Sequence, residues 1–164
     1  MSNKLAFFIL IAACGCKPDG EYKSYYKEGQ LKIVKHFLDG QLDGVHVTYF
    51  KNGQKETEVN YLKGKMQGNW ISYYENGDTS MIMPIKSDVK NGVIKEFYLG
   101  NRLKRTGAWV DNYEDGPEEL FNENGSLQMK GYYRLGVKDS IWQYFDEKGQ
   151  LLKSELWKMG KQIE

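Results

Sequence analysis

An all-β chain made of six copies of one hairpin is what the sequence predicts, on three observations. The first is a period. Stepping by 24 residues from Gly20 meets Gly44, Gly68, Gly92 and Gly116, and the sixth step lands on Ser140. Five places after each start stands an aromatic: Tyr25, Tyr49, Tyr73, Phe97, Phe121 and Phe145. Six hits without an insertion, in a chain that is 14% aromatic, mark an internal repeat, and repeats of this length build arrays or solenoids. The second is composition: 12 Tyr, 7 Phe and 4 Trp stand beside 18 Gly and 3 Pro, a balance suited to strands and turns. The third is punctuation. Asn52-Gly53, Asn76-Gly77 and Asn124-Gly125 follow aromatic runs, as do Glu28-Gly29, Lys148-Gly149 and the reversed Gly100-Asn101. Asn-Gly tolerates positive φ at both positions, which predicts two-residue type I′ hairpins here. A second turn, as at Asp39-Gly40 and Lys63-Gly64, closes each unit. Two strands per repeat give roughly 12 in all, within the usual hairpin loop lengths. Past residue 19 no capped apolar stretch of helical period occurs.

The chain divides into a leader, 1–13, a tether, 14–19, and the array, 20–164, with repeats starting at 20, 44, 68, 92, 116 and 140. Leu5 to Ala13 is an unbroken apolar run after Lys4, too short to span a bilayer as a helix and of the length of a secretory signal core. Ile11-Ala12-Ala13-Cys14 resembles a bacterial lipobox. That resemblance implies cleavage before Cys14 and lipidation of its sulfur, with Cys16 as the alternative. Several acyl chains make membrane residence effectively permanent where one does not. An ordinary signal peptide with an incidental cysteine, or a Cys14–Cys16 disulfide, are the competing readings. No cysteine follows residue 16, so the array has no disulfide framework and no cysteine metal site.

Three columns run through the repeats. The aromatics five places in form one. Phe37, Tyr61, Ile85, Trp109, Tyr133 and Trp157, 17 places in, form another. Neighbouring members stack, because a lone hairpin cannot bury its apolar face. Tyr26, Phe50, Tyr74, Tyr98, Asn122 and Asp146, six places in, have the opposite parity to the five-place column and face the other side of the sheet. The switch to polar residues in the last two repeats makes that side solvent-accessible at the C-terminal end. Pro84 cannot donate to a ladder, so the strand through Met81–Ile85 is expected to break or bulge there.

Charge and catalytic inventory narrow the function. Lys plus Arg number 23 and Asp plus Glu 22; removing the leader takes away only Lys4, leaving 22 of each. A neutral balance argues against general nucleic-acid binding and against strong attraction to anionic lipid. His36 and His46 occupy unrelated columns, and His46 stands where Trp70 and Trp142 stand in other repeats, a packing position. No Ser-His-Asp or Cys-His set can be assembled. Glu56 and Glu58 share a strand face and Glu118-Glu119 adjoin, yet a solvated edge is the better account of the first pair. Asp39, Asp43, Asp111 and Asp115 are turn residues without enough converging oxygens for calcium, and no glycine loop opens a helix. The expectation is a non-enzyme without cofactor or metal.

The recurring Gly-x-Trp-x-x-Tyr-Tyr-x-Asn-Gly unit, Gly68–Gly77 in its fullest form, followed by an aromatic and a Gly-Lys type turn, resembles the MORN-repeat variant of bacterial proteins, often labelled antitoxins of the YwqK type. The resemblance covers residues 20 to about 160. It implies an elongated, single-layer antiparallel sheet of tandem hairpins. Pro84, Gly100-Asn101 and the 24-residue unit depart from the pattern.

Together these readings give a lipid-anchored repeat scaffold of the bacterial cell envelope, on the outer membrane, facing periplasm or exterior. It would bind another protein or an envelope polymer through Tyr26, Phe50, Tyr74 and Tyr98, since solenoids offer long surfaces and amphipathic aromatics make good anchors. The alternative implied by the resemblance is an antitoxin or immunity protein that neutralises a toxin by direct binding.

Overall fold

The computed structural model describes residues 19–163; the leader, Cys14, Cys16 and nearly all of the tether lie outside them. All strands join one open antiparallel sheet, and among the described residues there is no helix. The first three repeats supply β1 (Gly20–Tyr25), β2 (Leu31–Leu38), β3 (Gln41–Leu42), β4 (Gly44–Tyr49), β5 (Lys55–Leu62), β6 (Lys65–Tyr73) and β7 (Thr79–Lys86). The last three supply β8 (Val89–Lys90), β9 (Gly92–Tyr98), β10 (Arg102–Val110), β11 (Tyr113–Phe121), β12 (Leu127–Arg134), β13 (Val137–Phe145), β14 (Leu151–Lys158) and β15 (Lys161–Gln162). Each strand pairs with its neighbours in sequence, so the sheet is an uninterrupted meander; β3 and β8 are short lead-ins to β4 and β9. The twelve longer strands are the two per repeat that the period predicts.

The turns correct one expectation. Type I′ geometry belongs to the later turn of each repeat, where both residues have positive φ: Lys63 and Gly64 at 50° and 78°, Asp111 and Asn112 at 50° and 70°. The Asn-Gly turns are three-residue loops. Gly77 N–H donates to Tyr74 O at 2.9 Å, Tyr74 N–H donates to Asp78 O at 2.8 Å, and only Gly77 takes positive φ, 92°. This is a type I turn closed by a left-handed glycine. The reason is local. Asn76 Oδ1 accepts the Asp78 N–H at 3.0 Å, an Asx turn that holds the asparagine right-handed. In the fourth repeat the inverted order puts Asn101, φ 57°, in the glycine's place, and Gly100 before it also takes positive φ, 79°, so this loop keeps the length of the others with a different turn; asparagine tolerates the left-handed conformation.

Each repeat from the second onward opens on a bulge. Gly68 pairs with Ile85 toward its own repeat, while toward the preceding one the register jumps from Glu58↔Ile71 to Asn60↔Gln67. The residue at the jump has positive φ in every repeat, including Ser140 at 61°. Such bulges add local twist. Pro84 does not break its strand: β7 runs continuously through Asn69↔Pro84. Its missing N–H falls on the side of the bulge at Gly92, where β7 and β9 are out of ladder contact and Asn91 N–H reaches Pro84 O at 3.1 Å. Nor is the Glu56–Glu58 strand an edge, since β5 is paired on both sides.

Strand alternation sorts the side chains onto two faces. One carries the residues two and 17 places into each repeat, as the Tyr133–Trp142 ring contact at 4.9 Å shows. The five-place aromatics stand on the other. The buried set is thin: Val47, Val59, Ile85, Ile94, Trp142 and Glu118. Stability of such a layer comes from repetition, each hairpin covering the next.

Candidate functional site

The six-place column sits at the mouths of the three-residue loops, on the Trp142 face. Its tyrosines tie repeats together. Tyr26 Oη donates to Tyr49 O at 2.7 Å, Tyr74 Oη to Phe97 O at 2.7 Å and Tyr98 Oη to Phe121 O at 2.9 Å. All four of Tyr26, Phe50, Tyr74 and Tyr98 are half-buried, and Phe50 alone has no hydroxyl for the tie. Where the column turns polar the bond goes elsewhere: Asn122 Nδ2 donates to Ser126 Oγ at 2.9 Å, and Asp146 Oδ1 accepts from the Lys148 and Gln150 amides. These polar members close their own loops, and remain half-buried like the aromatics.

Two charged constellations on the same face escaped the sequence reading. In the first, Arg105 on β10 meets Glu96 at 3.0 Å, Glu114 at 2.6 Å and, in the shortest contact, Glu118. Alternation thus splits Glu118 from Glu119: the former is buried against Arg105, the latter faces the opposite side. Burial pushes the Glu118 carboxyl up, against the lowering effect of Arg105. Arg105 itself is held more firmly protonated by the three carboxylates, which outweigh its burial. The available signal was a carboxylate in a column otherwise filled by Tyr22, His46, Trp70, Ile94 and Trp142. A buried carboxylate demands a cation.

In the second, Lys138 Nζ lies 4.3 Å from the Trp142 ring centre, 4.8 Å from Trp157 and 5.6 Å from Tyr144. Such distances suit cation–π attraction. Glu155 closes this cage, accepting from Tyr144 Oη at 2.9 Å and Trp157 Nε1 at 3.1 Å and pairing with Lys153 at 2.7 Å. Lys153 first, then these two donors, hold Glu155 at a pKa of about 2.

The histidines are apart. His46 stacks at 5.8 Å from Tyr61 with both ring nitrogens unbonded, and burial, then Lys35, lowers its pKa. His36, on the other face, lies 3.8 Å from Glu21. Among the described residues no cluster of His, Cys, Asp or Glu has the arrangement of a metal site, and no helix is long and apolar enough to cross a membrane.

Hairpins of one length, bulged at one place and tied at one interval, define a β-sheet repeat scaffold. Residues 18–39, 42–63, 66–86 and 114–134 match the family described as MORN repeat variant. The matches take in just over half of the chain, and the protein belongs to that family. They fall on the first, second, third and fifth repeats. The fourth, with Gly100-Asn101, and the sixth, with Ser140, have the same strand pairing in the structure. No protein of curated function matches the chain.

Proposed function

We propose that this repeat scaffold is non-enzymatic, anchored by a lipid on Cys14 to the bacterial cell envelope, and holds a partner protein or envelope polymer. The observation that carries the binding role is the six-place column. The hydroxyls of Tyr26, Tyr74 and Tyr98 are engaged by the backbone of the next repeat, so these three rings, with Phe50 in the same column, form a row at fixed spacing on a continuous sheet. Rings preorganised in this way lose little freedom on binding. The anchor rests on Ile11-Ala12-Ala13-Cys14 alone.

Cross-linking in cells followed by purification tests both parts. The N-terminal peptide should carry a diacylglycerol mass on Cys14, and Cys14→Ala should release the chain from the membrane fraction. An unmodified peptide refutes the anchor. Phe50 gives the clean test of the surface, because it makes no inter-repeat hydrogen bond. Phe50→Ala should lose the cross-linked partner while staying folded; undiminished capture refutes the column as the contact surface. A partner that is itself toxic, encoded beside this chain, would favour the antitoxin reading.

A further inference from the structure

We propose that the C-terminal half of the opposite face, away from the six-place column, docks an extended acidic polypeptide segment. Val93 pairs with Ala108, Pro117 with Tyr132 and Ile141 with Leu156. These six side chains share one face and cross β9 to β14 as a single apolar row. Val93 and Ile141 are 47% and 57% exposed. Midway, Pro117, Tyr132 and Ile141 line a depression of about 270 Å³ with Glu119, Lys130 and Gln143. In the first repeats the corresponding positions are largely polar, with Glu21, His36, Asn60 and Asn69. The row is therefore a feature of one half of the array.

Cations border it on both sides and outnumber the acids there, Glu119 standing opposite Lys130 on one flank. Lys95 and Lys130 stand two residues to one side, Arg134 and Lys158 two residues to the other, and all four are exposed. That spacing is about 7 Å along a strand. On the N-terminal half of this face Lys23 pairs with Glu21 at 2.5 Å and Lys55 with Glu58, while Lys86, like the C-terminal lysines, has no ion pair among the described residues and stands beside largely polar positions rather than an apolar row. Here only Arg134 has an acidic partner, Asp139 at 3.2 Å. Among the described residues no ion pair involves Lys95, Lys130 or Lys158. An apolar row between unanswered lysines fits a chain whose apolar side chains fill the row while its carboxylates reach outward. Tyr132 and Gln143 supply a hydroxyl and an amide for its peptide groups. Six strands make a row of about 24 Å, which about eight extended residues span.

Fluorescence anisotropy with the full chain tests this, using a labelled peptide of about eight alternating Glu and Leu residues. A matched Lys-Leu peptide and phosphatidylglycerol vesicles are the comparisons. The acidic peptide should bind, more weakly as salt rises, and the Lys-Leu peptide should not. Ile141→Asp and Lys130→Glu, both at exposed positions, should each weaken binding at least about tenfold. Val45→Asp, the corresponding position in the second repeat, should leave it unchanged. Equal binding by the variants, equal binding of the Lys-Leu peptide, or binding to vesicles alone overturns the proposal. Phe50→Ala should not alter peptide binding, so this surface stands or falls separately from the six-place column.

Discussion

Trp142 rests directly on Gly131. The indole is wholly buried, and a Cβ built on Gly131 would lie 2.2 Å from it. Glu118 covers Gly107 in the same manner, with 2.3 Å to the carboxylate oxygen. Neither glycine has positive φ, so their reason is steric, unlike the glycines of the bulges and loops. In the fifth and sixth repeats the side chain two places in fills the vacancy that a glycine leaves on the strand beside it.

Gly131→Ala should therefore destabilise the array, although alanine suits a strand better than glycine by roughly 0.5–1 kcal/mol. Overpacking a filled site costs about 1–3 kcal/mol and exceeds that gain. Urea denaturation should show a lower midpoint, and an unchanged or raised midpoint would refute the packing argument.

The period and strand content were legible because each 24-residue unit repeats the same hairpin without an insertion. The turn assignment was not, since Asn-Gly fits two hairpin geometries and the Asn76 side-chain bond decides between them. Pro84 was legible in part: its strand does not break, but the pairing beside it does jump, at the Gly92 bulge toward which its missing N–H points. Column six was visible as a column, but its hydrogen bonds reach 23 residues ahead. Arg105 was invisible because its three carboxylates come from the two strands that flank β10, Glu96 from β9 and Glu114 and Glu118 from β11.

Arg105→Met should cost about 3–5 kcal/mol, the range for removing one partner of a buried ion pair. It strands Glu118, whose side chain is only 5% exposed, beside two further carboxylates. The sign of the pH dependence follows. An acid whose folded pKa is raised takes up protons on folding, so its contribution is complete below the unfolded value and lost as pH rises through the folded one. Without Arg105 the Glu118 pKa rises further, and the variant should gain stability on mild acidification relative to the parent. Adding Glu118→Gln should recover part of the loss. A variant as stable as the parent at neutral pH would sink this account.

Phe50→Tyr should stabilise the array by installing the one inter-repeat tie missing from the aromatic column. By the geometry of Tyr26, Tyr74 and Tyr98 its hydroxyl would meet Tyr73 O. Removing an existing tie, in Tyr98→Phe, should cost about 0.5–1.5 kcal/mol, the net worth of a hydrogen bond, and the gain should be of the same order. Thermal melts of the two variants should move in opposite directions.

Ser140→Gly should also stabilise. Ser140 holds φ 61° at the bulge where Gly44, Gly68, Gly92 and Gly116 stand in other repeats, and a side chain in the left-handed region costs roughly 1–2 kcal/mol. Its greater freedom when unfolded offsets part of this. A loss of stability would mean that the hydroxyl matters more than the strain.

Glu155→Gln separates the acid limb of the C-terminal repeat. The parent carboxyl titrates at about 2 when folded, against a reference of 4.5. A depressed acid contributes stability above its unfolded pKa and loses it as pH falls through the folded value. The glutamine keeps an acceptor for Tyr144 and Trp157 but no charge for Lys153. The parent should be the more stable at neutral pH, and the gap should close between pH 4.5 and about 2. Near-ultraviolet circular dichroism, reporting on Trp142 and Trp157 in the cage, should follow the same transition. A gap that stays constant across that interval would show that the carboxylate's charge does not hold the cage.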